Sequence, residues 1–232
     1  MKNKPKIAFC ISGLTKSSML CYPYIYDAML NYPELNIDVF SFTWEESPRV
    51  LDLYRPKEKI VETINWKTIV SHLKRNLQIK QGTIFQGNPD NILAEYYGLY
   101  KVFQLVDDSY DYVIRCRFDV IIQDKFNMLP IIEKLENNEF DIFFPDEVFN
   151  FGGYQNRIFI GKYWAMKHAM NIISKVNLAC DALGKFHPES FLKWVLDEEN
   201  VRTYQTDINH RIIRKSFVEA NWPENPFKFK DL

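Results

Sequence analysis

The sequence predicts an α/β fold: a mainly parallel central sheet with helices on both faces, as one domain over residues 1–220 and an irregular tail over 221–232. Three observations predict it. Short apolar runs rich in β-branched residues alternate with stretches of helical period along the whole chain. A chain of 232 residues with 47% hydrophobic residues can bury one substantial core, and no linker-like stretch divides it. Three of the apolar runs end in Ser12-Gly13, Thr43-Trp44 and Arg117-Phe118-Asp119. Those are residue types suited to ligands, at the strand ends where parallel sheets bind them.

The elements follow in order. Lys6–Ser12 (KIAFCIS) reads as a buried strand, and a looser helical segment runs from about Ser17 to Leu30. Ile37–Thr43 is a second strand and Lys59–Glu62 a short third. Trp66–Ile79 has apolar residues at 66, 69, 70, 73 and 77, which is helical spacing. Gln81–Asp90 reads as a loop. The clearest helix spans Asn91–Val106, with Ile92, Tyr96, Leu99, Phe103 and Val106 on one stripe and Asn88 or Asp90 as its cap. After an acidic turn, Asp111–Ile122 is a strand. Met128–Leu135 is a helix, Phe140–Phe144 a strand, and Phe151-Gly152-Gly153 a corner leading into the strand Arg157–Ile160. Tyr163–Val176 is helical. Pro188 opens another helix, to Leu196, since proline suits the first helical turn. Val201–Thr206 and Ile208–Ile213 are terminal strands.

Composition excludes several classes. The formal net charge of -1 and the dispersed basic residues offer no field for nucleic acid. The four cysteines (Cys10, Cys21, Cys116, Cys180) show no metal-ligand spacing and read as reduced core residues of a cytoplasmic protein. No apolar segment approaches transmembrane length, and Ile7–Ile11 is too short for a signal-peptide core. The sequence contains no GxxxxGK[ST] loop, no GxGxxG after the first strand, no HExxH and no GxSxG.

The run DYVIRCRFDVII, Asp111–Ile122, carries the most chemistry. A strand's period of two lets Arg115, Arg117 and Asp119 point the same way. Burying two guanidinium groups and a carboxylate is costly without partners, an anion or a metal. The trio therefore reads as a site for an anionic ligand such as a diphosphate, because arginine pairs bidentately with phosphate. An internal ion pair is the competing structural reading. Ser12-Gly13 offers backbone N–H groups and close approach, or an ordinary turn. Thr43-Trp44 offers a hydroxyl and a stacking face, or a core tryptophan. Tyr154-Gln155-Asn156-Arg157 suits sugar hydroxyls or a solvated loop. His187 could join a metal shell or bond a phosphate. Glu189 could be a general base, or an acidic residue serving the helix dipole. Asp146 and Glu147 are alternative carboxylates, and His72 and His168 fall in helical patterns as structural or solvated residues.

With these residues in view, the ordered pieces IAFCISG, VFSFTW, YDYVIRCRFDVII, FGGYQNRIFIG and HPESFL, spread from Lys6 to about Arg214, resemble GT-A type nucleotide-sugar-dependent glycosyltransferases. The resemblance is to the loosely related bacterial and viral proteins that decorate surface glycans. It implies a nucleotide-binding half, a nucleotide-sugar donor and a glycan acceptor: a surface polysaccharide or a glycoprotein glycan. GT-A enzymes generally bind a divalent metal, Mn2+ or Mg2+, and the donor diphosphate through an Asp-x-Asp motif after a central strand. Here RFD supplies only Asp119, with Arg117 where the first aspartate would stand. The resemblance thus implies Asp119 and His187 as metal ligands, or arginines that take over part of the metal's charge. It implies Ser12, Gly13, Thr43, Trp44, Arg115, Arg117 and Arg157 around the donor. Asp119 and Glu189 would be the catalytic residues, Glu189 as base if the anomeric centre inverts. Two rival readings stay open. A sugar nucleotidyltransferase would show a glycine-rich basic signature near its first strand, for which LTKSS is a poor substitute. A non-catalytic glycan-binding or assembly module would keep the fold without the chemistry. Homo-oligomerisation is also left open.

Overall fold

The structure of the protein, a computed structural model, describes residues 4–15, 17–45, 47–62, 65–77, 83–122, 126–146, 152–208 and 210–213. Lys6–Gly13 (β1) leads through Ser18–Ile25 (α1) and a π-helical turn at Tyr26–Leu30 to Asn36–Thr43 (β2). Pro48–Tyr54 (α2), Glu58–Val61 (β3), Trp66–Arg75 (α3), Ile84–Phe85 (β4) and Pro89–Phe103 (α4) follow. Then come Tyr112–Arg117 (β5), Val120–Ile122 (β6), Leu129–Glu136 (α5), Ile142–Asp146 (β7), Ile158–Lys162 (β8) and Tyr163–Met170 (α6). A 3-10 turn at Ile172–Lys175 precedes Val176–Leu183 (α7), Lys185–Phe186 (β9), Pro188–Glu198 (α8), Thr203–Asp207 (β10) and His210–Ile212 (β11).

Seven strands form one sheet in the order β10-β7-β8-β5-β1-β2-β3. Neighbours are parallel except β8, which runs antiparallel to both β5 and β7. Parallel neighbours need crossover connections, and the helices supply them. The period of two splits each strand between two cores. Ala8 and Cys10 of β1, with Phe40, Phe42 and Val113, pack under α4, α6, α7 and α8. Ile7, Phe9 and Ile11, with Tyr112, Ile114 and Cys116, pack against α1, α2 and α5. Both faces are thus covered, which explains the near-continuous apolar strands.

Helix α4 is placed closely. Pro89 opens it and the Asn88 side chain accepts from the Asp90 N–H at 2.9 Å, so the expected cap is made. Its buried stripe includes Ile92, Tyr96, Leu99 and Phe103. Gly98 faces the sheet, where an added Cβ would lie 3.3 Å from the Phe42 ring. This close approach brings the middle of α4 down onto the ends of β1 and β2.

Several elements differ from the sequence reading. The run expected as one strand to Ile122 breaks at Phe118-Asp119. Phe118 turns into the core beside α2, its ring 5.4 Å from that of Tyr54, and β6 leaves the sheet to pair with β11. The helix expected over Tyr163–Val176 breaks at Asn171 into the 3-10 turn and α7. The short elements α2, β4 and β9 carry too few residues to show a period. Residues beyond Leu77 in the helix expected over Trp66–Ile79, Phe151 of the glycine corner and the tail over 221–232 lie outside the described residues. Among the described residues no helix is long and apolar enough to cross a membrane.

The amino edge of the sheet is closed by ion pairs. Asp141 accepts from Arg202 Nε at 2.9 Å and Nη2 at 2.8 Å, and from Lys162 Nζ at 2.9 Å. Burial raises its pKa, but these hydrogen bonds prevail and hold the carboxyl down to about 2.

Candidate active site

The carboxyl ends of three strands lie level. In the sheet register Ser12 stands opposite Arg117, and Gly13 opposite Thr43. Gly13 has φ 131°, a backbone region that side-chain-bearing residues rarely adopt, so the chain turns off the sheet there without strain. Ser12 and Thr43 are buried, and Thr43 Oγ1 has no hydrogen-bond partner among the described residues. Half-buried Trp44 packs edge-on to Phe42 and stacks on Tyr97 at 5.4 Å. Its indole therefore belongs to the wall between β2 and α4.

Beside these ends lies a charged quartet. Arg115 is 1% exposed, its Nη1 donates to the Cys116 carbonyl, and its Nε has no partner among the described residues. Arg117 donates from Nε to Asp119 Oδ1 at 2.8 Å and from Nη2 to Oδ2 at 2.9 Å, a two-bonded fork. The fourth member is Glu95 of α4. Its Oε1 lies 3.4 Å from Arg117 Nη1 and 3.8 Å from Arg115 Nη2. Burial draws Arg115 down to about 10, against the pull of Glu95. Burial also acts most strongly on Arg117, but Glu95 and Asp119 together outweigh it and raise its pKa.

The start of α8 forms the neighbouring wall. His187 is its N-cap: the Ser190 N–H donates to Nδ1 at 3.4 Å. That bond leaves the ring proton on Nε2, which lies 3.2 Å from Glu189 Oε2. Burial, with a smaller contribution from Lys185, lowers the His187 pKa below the usual 6.5. Gly153 explains the glycine corner, since a Cβ there would lie 2.1 Å from the Glu189 carbonyl. The Tyr154 N–H donates to that carbonyl at 3.1 Å. Helix α4 touches both walls: Glu95 meets Arg117, and the Tyr96 hydroxyl donates to the Pro188 carbonyl at 3.1 Å.

The Gln155 amide, which suited sugar hydroxyls, does other work. Gln155 is buried, and its side chain accepts from the N–H groups of Arg157 at 2.8 Å and Ile158 at 3.2 Å, shaping its own loop. Arg157 is half-buried beside it, immediately before Ile158, which pairs with Cys116 in the antiparallel register, so it stands at the sheet end that carries Arg117. Glu147 and the side chain of Asp146, the alternative carboxylates, fall outside what is described.

The residues present do not fit a metal ion. Both Asp119 oxygens already accept from Arg117. Nδ1 of His187 caps α8. Among the described residues no group of three His, Cys, Asp or Glu side chains could hold a cation.

Sequence reasoning missed Glu95. Its signal is nevertheless present: a glutamate three residues after Ile92 and four before Leu99 lies within the apolar stripe of a helix, where a carboxylate needs a partner.

No protein-family model and no curated protein matches the sequence. Solved structures do. The crystal structure of mouse xyloside xylosyltransferase 1, in its apo form, has a TM-score of 0.51 at 10% identity, over 95% of this chain and 91% of that one. The Mn/GDP form of core-mannan synthase A from Aspergillus fumigatus has a TM-score of 0.53 at 9% identity, over 91% of this chain and 75% of that one. With the seven-stranded, mostly parallel sheet and its covering helices, these likenesses show that the chain has the fold of GT-A type glycosyltransferases.

Proposed function

We propose that this chain is a glycosyltransferase that moves a sugar from a nucleotide diphosphate donor to a hydroxyl of a glycan acceptor. The observation that carries this reading is the pair of arginines at the carboxyl edge where β1, β2 and β5 meet, which is where parallel sheets bind ligands. The named activities of the two structural neighbours, and the GDP held by one of them, support the same class of reaction.

In this reading the acceptor oxygen bonds to the donor's anomeric carbon as the bond from that carbon to the diphosphate oxygen breaks. The electron pair leaves with the diphosphate and the hydroxyl proton passes to a base. Charge develops on the leaving diphosphate, and groups fixed in place before the reaction stabilise it best. Arg117 suits that task. Asp119 holds it in one orientation, and two of its five N–H groups take no partner among the described residues. Arg115, buried behind it, holds Glu95 and the strand end. Asp119 is then a positioning residue. The Ser12-Gly13 turn and Trp44 flank the nucleotide, and Arg157, at the strand end beside Arg117, contacts the donor as well. Glu189, beside the neutral ring of His187, is the base for an inverting transfer.

The test is thermal shift of the full chain with UDP, GDP and CMP, followed by nucleotide release from a panel of nucleotide sugars with and without acceptor glycans. A shift with at least one nucleotide, and acceptor-stimulated release from its sugar, is expected. No shift with any of the three would sink the reading in favour of a glycan-binding module.

A further inference from the structure

We propose that Arg117 stands in for a divalent cation between Glu95 and Asp119, so that the donor site works without a metal ion; this rests on reading the site as one for a nucleotide diphosphate. Glu95 and Asp119 come from different elements, the middle of α4 and the turn after β5, yet both carboxylates meet one guanidinium. Two carboxylates converging from separate elements on a single positive centre is an arrangement proteins use to hold a hard cation. Here the centre is Arg117, at 2.8 and 2.9 Å from the two oxygens of Asp119 and 3.4 Å from Glu95.

The charges agree. Arg115 and Arg117 together carry two positive charges, matching the two negative charges of Glu95 and Asp119. That is the charge of one divalent ion against the same carboxylates. A cation added to the quartet would bring an uncompensated double charge into a place where Arg115 is 1% exposed and Glu95 and Asp119 only 18% and 22%. Burying excess charge of that kind is costly. The cation would also have to displace a two-bonded fork from Asp119, and among the described residues no group of three His, Cys, Asp or Glu side chains is placed to hold it. A guanidinium differs from a cation in one useful respect. Its remaining N–H groups can bond phosphate oxygens with defined direction while the carboxylates hold its other edge.

The experiment is Mn2+ titration of the full chain, read by the Mn2+ spin-resonance signal. It compares the wild type, Asp119→Asn, Arg117→Met, and Arg117→Met combined with Asp119→Asn. The wild type is expected to take up no Mn2+ at this site up to about 1 mM, and Arg117→Met to bind it at least about tenfold more tightly, a gain lost when Asp119→Asn is added. Wild-type binding that Asp119→Asn abolishes would overturn the proposal. So would an Arg117→Met chain, folded by circular dichroism, that ignores Mn2+. Should Arg117→Met fail to fold, the wild type still decides. Its affinity for the nucleotide that shifts it should agree within about twofold in EDTA and in Mn2+, and a gain of about tenfold or more with Mn2+ overturns the stand-in. If no nucleotide binds in either buffer, the donor reading falls, and the wild-type Mn2+ titration judges the stand-in by itself.

Discussion

Replacing Glu95 by Gln removes one charge from the quartet and almost no volume. At an effective dielectric constant of about 20, contacts of 3.4 and 3.8 Å to Arg117 and Arg115 correspond to roughly 5 and 4 kcal/mol of gross attraction. Glutamate itself loses several kcal/mol of hydration on burial, and its 18% exposure admits screening water, so the net loss expected is about 2–3 kcal/mol. For a chain of this size that lowers Tm by about 5–10 °C, measurable by calorimetry and by the urea midpoint. A second signature comes from Arg115, already drawn down to about 10 by burial. A base with a lowered folded pKa destabilises below that pKa and is relieved as pH rises through it. The deficit of Glu95→Gln relative to wild type should therefore shrink above about pH 10. Adding Arg115→Met should restore stability to within about 1 kcal/mol, because an apolar replacement for a buried charge is often neutral or favourable. A Glu95→Gln chain within about 0.5 kcal/mol of wild type would refute the argument that Glu95 balances the two arginines. So would a failure of Arg115→Met to rescue.

Three further outcomes are expected. Gly153→Ala places a Cβ 2.1 Å from the Glu189 carbonyl and should cost about 1–3 kcal/mol in urea unfolding, while Gly152→Ala, with nothing within 4 Å, should act only through its φ of 76°. Since burial lowers the His187 pKa below 6.5, its neutral form stabilises the fold above that value, and this contribution is lost as pH falls through the folded pKa. His187→Asn keeps a capping acceptor, so its unfolding free energy should decline less between pH 7.5 and 5 than that of wild type; parallel curves would contradict the assignment. Glu189→Gln should bind donor normally and lose about two or more orders of magnitude in sugar transfer, and near-normal transfer would remove Glu189 as base.

Much of the fold was legible because its signals are local. The alternating faces of Lys6–Gly13, the stripe of α4 and its Asn88 cap, and Pro188 at the head of α8 each follow from neighbours within a few residues. The three ligand-type strand ends were also legible, because parallel strands of one sheet finish on the same edge. The breaks were not. Phe118 leaves the strand run because a pocket beside Tyr54 exists for it, and that pocket is built by residues more than sixty positions earlier.

The sequence by itself determined the class of this protein: its alternation of strands and helices, its mostly parallel sheet, and the three charged residues of Arg115, Arg117 and Asp119 set at a strand's end. Only the tertiary structure decided what those charges meet. The register that sets Ser12 beside Arg117, the approach of α4 that Gly98 permits, and the arrival of Glu95 over both arginines are contacts between segments far apart in the chain. Local patterns encode which face a side chain takes. They do not encode which distant group will face it, because that follows from how the packed layers fit together.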